Sequence, residues 1–450
     1  MTRYRRPPGT YGFPQLGKWI DMADFFFVSG WHKFFERRLQ QYDSTVFRTP
    51  MFQNTVVVMD HMAISALFDT TPFIQDYGFG SAVPPRPLVG HVAPSVFETG
   101  VLHDNPKAFY FALLRRRATS LPAVFEEVLG EYEMRWAKLG RFSWRDEIET
   151  FTMDFVLRWI LEVRFDTAKA RLIYNNILTD RTWRVAQFFP WTRYSKSLRY
   201  YEELLRAIEG ADGFEAIMQI ARVFGLSDRT YVAKQIAFLT GMNSYLGLQN
   251  LFKSIVGELS SRADVRAALE QQLAGWSPGP VFSTRLPAVD AFIMEVLRQH
   301  PPVFFIFGRA IDEVELQSAS GSFSIAKGER LLGVIPFAHS DPEAFPDPTS
   351  FKPERFQDPE ARMRLIWPRG IHDRPAAIED RTCPGKDVAL LIAHAFCTTL
   401  VTRYQWTAVQ PIKWDNRRYS LNVAAPMGEL NVAGFAVRDE QARHARVAQA

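Results

Sequence analysis

Arg381-Thr382-Cys383-Pro384-Gly385-Lys386-Asp387 leads into a run, Asp387 to Tyr404, that is apolar nearly all round. A helix apolar on every face is a buried one. Cys383 stands just before it, where unpaired backbone N–H groups and the positive end of the helix dipole collect. Both lower a thiol's pKa and stabilise thiolate. Pro384 suits the first helical turn, where its missing N–H costs nothing. Gly385 leaves the backbone open to something flat and bulky. Arg381, two residues before the cysteine, is placed to pair with an anion. An isolated Cys-Pro-Gly is more often a structural cysteine than a ligand, and Cys397, inside the helix, reads as a small buried apolar residue.

Working outward, Phe351-Lys352-Pro353-Glu354-Arg355-Phe356 reads as an ordered meander. Further back, Glu295 and Arg298 are three apart on one helix face. By itself that pair suits a solvated surface. If Arg355 meets it, a buried three-charge network results, which needs full pairing because an unpaired buried charge costs several kcal/mol.

The order of these three features, Glu-x-x-Arg, Pro-Glu-Arg-Phe and Cys-x-Gly before an apolar helix, resembles the signature of cytochrome P450 enzymes. The resemblance implies a mainly α fold with small β-sheets, and haem b ligated by Cys383. It implies a structural triad of Glu295, Arg298 and Arg355. It also implies propionate contacts from Arg381 and Arg309, with Lys107, His103 and the Arg115-Arg116-Arg117 run either near a propionate or on a solvated helix face.

Two departures from ordinary members narrow the resemblance. Trp367-Pro368-Arg369-Gly370 lies well upstream of Cys383, with Ile371 to Asp380 inserted between them. In the long central helix, Gly241-Met242-Asn243-Ser244-Tyr245-Leu246-Gly247-Leu248-Gln249 has neither the acid nor the threonine that deliver protons during dioxygen activation. Asn243 offers an amide, which donates and accepts hydrogen bonds but shuttles protons poorly. Both departures resemble the allene oxide synthase and fatty-acid hydroperoxide lyase branch. So do Pro8-Gly9-Thr10-Tyr11-Gly12-Phe13-Pro14, Tyr42-Asp43-Ser44-Thr45-Val46-Phe47-Arg48 and Cys383-Pro384-Gly385-Lys386-Asp387.

That branch implies a polyunsaturated fatty-acid hydroperoxide as substrate and homolysis of its O–O bond. It implies no NADPH, no redox partner and no dioxygen. Asn243 would hold the peroxide. The segment Asp76-Tyr77-Gly78-Phe79-Gly80 would face the substrate, and an aromatic there, Tyr77 or Phe79, favours dehydration to an allene oxide. Lysis to aldehydes and rearrangement to an epoxy alcohol are the alternatives. A monooxygenase, a peroxygenase using hydrogen peroxide, and a non-catalytic haem sensor are the rival readings.

Bulk properties agree. The chain has 450 residues, 47% hydrophobic, with 37 Phe, enough for a large core and an apolar cavity. Net charge is +4, with the signs mixed and no basic tail, which argues against nucleic-acid binding. Two cysteines exclude a disulfide framework and suit a reducing compartment. No apolar run near the start is long enough to span a membrane. A cytoplasmic protein, with peripheral contact to membrane or detergent, is the expectation.

The pattern predicts one domain over residues 1–450. It predicts an extended lead-in over 1–20, a helix from Asp24 to Tyr42, a strand at Thr55–Met59 and an irregular loop over 71–106. Helices then run from Lys107 to about Leu259, with another over Leu286–Arg298. Short strands occupy 303–340 and loop 341–386. A hairpin spans Tyr419–Val437, and a flexible tail follows over 438–450.

Overall fold

A computed structural model describes residues 5–12, 16–51, 54–76, 96, 98–177, 183–274, 282, 285–367, 370–412, 414 and 430–438. Helices dominate, and the strands are short. They are β1 (Val46–Thr49), β2 (Thr55–Val58), β3 (Phe73–Gln75), β4 (Arg141–Ser143), β5 (Phe305–Ala310), β6 (Val314–Ser318), β7 (Gly321–Ile325), β8 (Arg330–Val334), β9 (Ile366–Trp367), β10 (Gly370–Ile371), β11 (Tyr404–Ala408) and β12 (Asn431–Val437).

One five-stranded sheet has the order β1-β2-β8-β5-β3, with β2 and β8 parallel and the other pairs antiparallel. Its Val56, Val58, Ile306 and Leu331 side chains enter one apolar cluster, and Phe47, Val57, Phe305 and Leu332 enter another with Phe25, Phe34 and Phe35. Alternate residues thus serve opposite faces, as strand geometry requires. The main core is helical and holds the central helix, the helix Pro287–Gln299 and the helix Lys386–Arg403.

Several local expectations need correction. The lead-in is not extended throughout, because Leu16–Ala23 is helical. The predicted helix from Asp24 breaks at Gly30, whose φ of 74° is outside helical range, into a π turn Asp24–Val28 and a helix Trp31–Tyr42. The loop 71–106 contains β3 and the start of a helix Val101–Arg117, which tolerates Pro106 in its second turn. Segment 341–386 holds short helical turns at Pro353–Gln357 and Pro359–Arg364 besides the β9–β10 pair. Of the predicted terminal hairpin, residues 430–437 are described; Asn431–Val437 pairs with β11 and β4, and its Phe435 packs on Trp136 and Trp144. Residues 415–429 and the tail from 439 lie outside the described residues.

Glu295, Arg298 and Arg355 meet. Glu295 is fully buried and accepts from Arg298 Nε and Nη2, both at 2.8 Å, from Arg355 Nε at 3.1 Å and from Lys352 N at 2.8 Å. The guanidinium groups spend their other donors on the His339, Pro346 and Ser350 carbonyls. The meander is thereby tied to the helix Pro287–Gln299. His339 is buried beside this network. Its Nε2 accepts from Ile366 N at 3.0 Å while Nδ1 faces Arg298 O at 3.1 Å, so the ring is neutral with its proton on Nδ1. Burial first, and Arg298 second, pull its pKa from 6.5 to about 3.

Two outcomes follow for stability. Glu295→Gln removes the charge that balances two buried guanidinium groups and is expected to cost about 3–5 kcal/mol in chemical unfolding; an unchanged midpoint contradicts the network's role. Between about pH 6.5 and 3 the unfolded state binds a proton at His339 that the folded state refuses. Stability from this site is therefore complete above the unfolded pKa and falls with acidification, by up to about 1.4 kcal/mol per pH unit. Unfolding of the native protein and His339→Gln across that range should show the shallower slope in the variant.

Candidate active site around the cysteine loop

The helix behind Cys383 begins at Lys386, not at Pro384. Pro384 and Gly385 form a turn in which Lys386 N donates to Cys383 O at 3.2 Å, and Ala389 N to Gly385 O at 2.8 Å. The proline serves the turn rather than the first helical position. Cys383 is half-buried, and neither cysteine is in a disulfide. Cys397 is buried in the same helix, where desolvation pushes its thiol pKa well up. It is therefore held as the neutral thiol.

The inserted segment is built around one residue that sequence reasoning missed, Asp380. Asp380 Oδ1 accepts from Lys107 Nζ at 2.7 Å and from Thr382 N at 2.8 Å, and its Oδ2 accepts from Ala377 N at 3.0 Å. Lys107 Nζ also donates to the Asp380 carbonyl. Lys386, itself buried, reaches back to the His372 carbonyl. Thr382 packs on Gly370, where any Cβ would overlap its side chain. The loop is thus closed at both ends before it delivers Cys383. An acid three residues before the cysteine was the available signal for Asp380.

Positive charge gathers here. Burial lowers the Lys107 pKa, while Asp380 and then Cys383 pull it back up, which places the lysine within electrostatic reach of the sulfur. Arg381 donates Nη1 to Glu98 O at 2.7 Å, while its buried Nε has no partner among the described residues. His103 is buried against Asp104 at 2.8 Å and feels both cations. The arginine run divides: Arg115 and Arg116 are exposed, and Arg117 is buried against Glu162 and the Ile160 carbonyl. Arg309 has a carboxylate partner of its own. Asp76 holds it at 2.8 and 3.0 Å, and also holds Arg330 at 2.8 Å.

The central helix is continuous in space but not in register. Helix Arg229–Phe238 passes through a π turn, Leu239–Tyr245, into helix Leu246–Ser261. Flanking stretches are buried, yet Asn243 on the π turn is exposed, and Leu246 and Gly247 beside it are only half-buried. A Cβ on Gly247 would meet nothing within 4 Å. This stretch is thus an open patch midway along a helix buried on either side, and π turns collect at functional sites. Tyr77 and Phe79 lie outside the described residues. A cleft of about 540 Å³ between Arg193–Glu209 and the central helix is lined by Tyr201, Leu205, Glu209 and Lys234, and contains no predicted site residue.

These residues fit a haem. The loop offers a soft sulfur ligand with cations beside it, and the buried Arg381 Nε awaits an acceptor. At Gly385 a Cβ would meet only ordinary contacts, Leu114 at 3.6 Å and Cys383 Sγ at 3.9 Å, so the protein's own packing leaves the loop's face free.

Comparisons with known proteins agree. Residues 282–427 match the cytochrome P450 family model. A divinyl ether synthase of Selaginella moellendorffii is 27% identical, over 88% of this chain and 90% of its own length. Allene oxide synthase 2 of Solanum lycopersicum, chloroplastic, is 25% identical, over 89% and 86%. Among solved structures, the retinoic acid-bound cyanobacterial CYP120A1 superposes with a TM-score of 0.73 at 20% identity, covering 97% of this chain and all of that one. Cytochrome P450 OleT in complex with arachidonic acid gives 0.72 at 14% identity, covering 97% of this chain. No described helix is long and apolar enough to cross a membrane.

Asp380→Ala should loosen the loop by about 1–3 kcal/mol, since it strands buried donors, and should lower the haem-to-protein absorbance ratio. Asp380→Asn keeps one acceptor oxygen and should recover part of both. Equal loading in all three proteins contradicts this role for Asp380.

Proposed function

We propose that this chain, which resembles the allene oxide synthase branch of the cytochrome P450 superfamily, converts polyunsaturated fatty-acid hydroperoxides without external electrons or dioxygen. In this reading Cys383 would hold haem b through its sulfur, and Arg381 and Lys107 would pair with its propionates. Arg309 would join them only by sharing its charge with Asp76. Haem supplies the redox-active iron that splits an O–O bond, with the thiolate tuning its electron density.

The observation that carries the reading is Asn243. It stands on the π turn at the open patch of the central helix, and Gly241 to Gln249 offers neither a carboxylate nor a threonine. Its amide can donate to one peroxide oxygen and accept from the terminal O–H at once. It holds the substrate but has no proton of suitable acidity to release. Such a site suits an oxygen donor that arrives already reduced. Gly247 and Leu246 leave room for the chain beside it, and the half-buried Met242 and Leu246 give that patch an apolar margin.

For the product we propose dehydration to an allene oxide, on the aromatic residues Tyr77 and Phe79 of the segment assigned to the substrate. The named relatives raise a divinyl ether as the alternative.

The test uses haem-loaded protein and a linoleic-acid hydroperoxide with no NADPH or reductase. Loss of conjugated-diene absorbance is expected, with ketols from allene oxide hydrolysis by mass spectrometry. Asn243→Ala should lower kcat by about a hundredfold while haem loading stays level. No diene loss by fully loaded protein contradicts the function. Divinyl ethers, aldehydes or epoxy alcohols in place of ketols would overturn the product assignment alone.

A further inference from the structure

The π turn that carries Asn243 is gripped by a neighbouring helix, Thr167–Asn176. Tyr174 on that helix is buried, and its hydroxyl donates to Ala237 O at 2.8 Å. Ala237 stands just before the π turn, where the backbone pattern widens from i→i+4 to i→i+5, and the phenol ties its carbonyl to the neighbouring helix. The Tyr174 ring meanwhile occupies the space over Gly241, where any Cβ would overlap it. Thr240 adds a second side-chain bond, to Ile236 O at 2.7 Å, of the kind that bends a helix.

The same helix also grips the far side of the open patch. Arg171 pairs with Glu149, which accepts from the buried Lys253 Nζ at 2.6 Å; Lys253 also donates to Gln249 at 2.7 Å. Burial drives the Lys253 pKa down to about 8 against the pull of Glu149. Asn243 is thus bracketed by Tyr174 before it and the Arg171–Glu149–Lys253 chain after it.

We propose that Tyr174 is a positioning residue for Asn243: its ring against Gly241 and its hydroxyl on Ala237 hold the widened register that presents the amide at the open patch. An α-helical register would move each following residue by about one position, or 100°, around the axis. The inference rests on the reading of Asn243 as the group that meets the peroxide.

The experiment compares native protein, Tyr174→Phe, Asn243→Ala and the double variant, all haem-loaded. The readouts are hydroperoxide kcat and KM, and the affinity for the corresponding unreactive hydroxy fatty acid by titration calorimetry. Tyr174→Phe should lower kcat between about tenfold and a hundredfold, as small misplacements of a reacting group do. KM and hydroxy-acid affinity should stay within about twofold. In the Asn243→Ala background the same substitution should cost less than about twofold, because coupled residues are not additive. Gly241→Ala, which displaces the ring but keeps the hydroxyl, should show the same dependence on Asn243. An equal loss in both backgrounds, or hydroxy-acid affinity falling in step with kcat, would overturn the positioning role while leaving Asn243's own role standing. Full activity of Tyr174→Phe overturns it as well. If Asn243→Ala itself keeps full turnover, the underlying reading fails, and the positioning role with it.

Discussion

A half-buried cysteine can serve as a thiolate ligand only where its charge is matched, and that constraint is the one the proposed haem site depends on. Around Cys383 the structure offers Lys107, within electrostatic reach of the sulfur, Arg381 two residues before it in the chain, and a helix start behind it. Those cations would repel each other and drift without Asp380, which holds Lys107 and the loop backbone together. Lys386 and the Thr382–Gly370 contact close the other end. The inserted segment is therefore a brace rather than a decoration. It joins the Val101–Arg117 helix to the loop that presents Cys383.

The second requirement is a rigid opposite wall. The helix Lys386–Arg403 packs into the same core as the central helix, with Phe252 and Phe396 stacked at 4.1 Å. The Glu295 network ties the meander to the helix Pro287–Gln299, which also packs there. Buried charges are a poor source of net stability, but they punish every arrangement in which one partner is missing. They therefore specify a geometry that apolar packing alone would let slip.

Much of this was legible in the sequence, and what was not has physical reasons. The ion pairs among Glu295, Arg298 and Arg355 join residues whose order along the chain suggested their meeting. The apolar run after Asp387 could only be a buried helix. The break at Gly30 was missed because the apolar run Phe25–Val28 continues the helical pattern up to it, whereas backbone conformation decides there. The π turn was invisible for the same reason: periodicity reports an average of 3.6 residues and blurs one extra residue. Asp380 and Tyr174 were overlooked because their meaning depends on partners far away in the chain, Lys107 and Ala237. The pairing of Arg309 with Asp76 was likewise hidden, because that carboxylate comes from a strand edge that composition does not single out.

The central claim is that Cys383, and not Cys397, supplies the ligand to haem. The most direct measurement is the absorbance of the reduced, carbon monoxide-bound protein, for the native chain, Cys383→Ser and Cys397→Ser. The native protein and Cys397→Ser should show the red-shifted Soret band of thiolate ligation, and Cys383→Ser should lose it. Retention of that band in Cys383→Ser, or its loss in Cys397→Ser at equal haem content, would contradict this assignment.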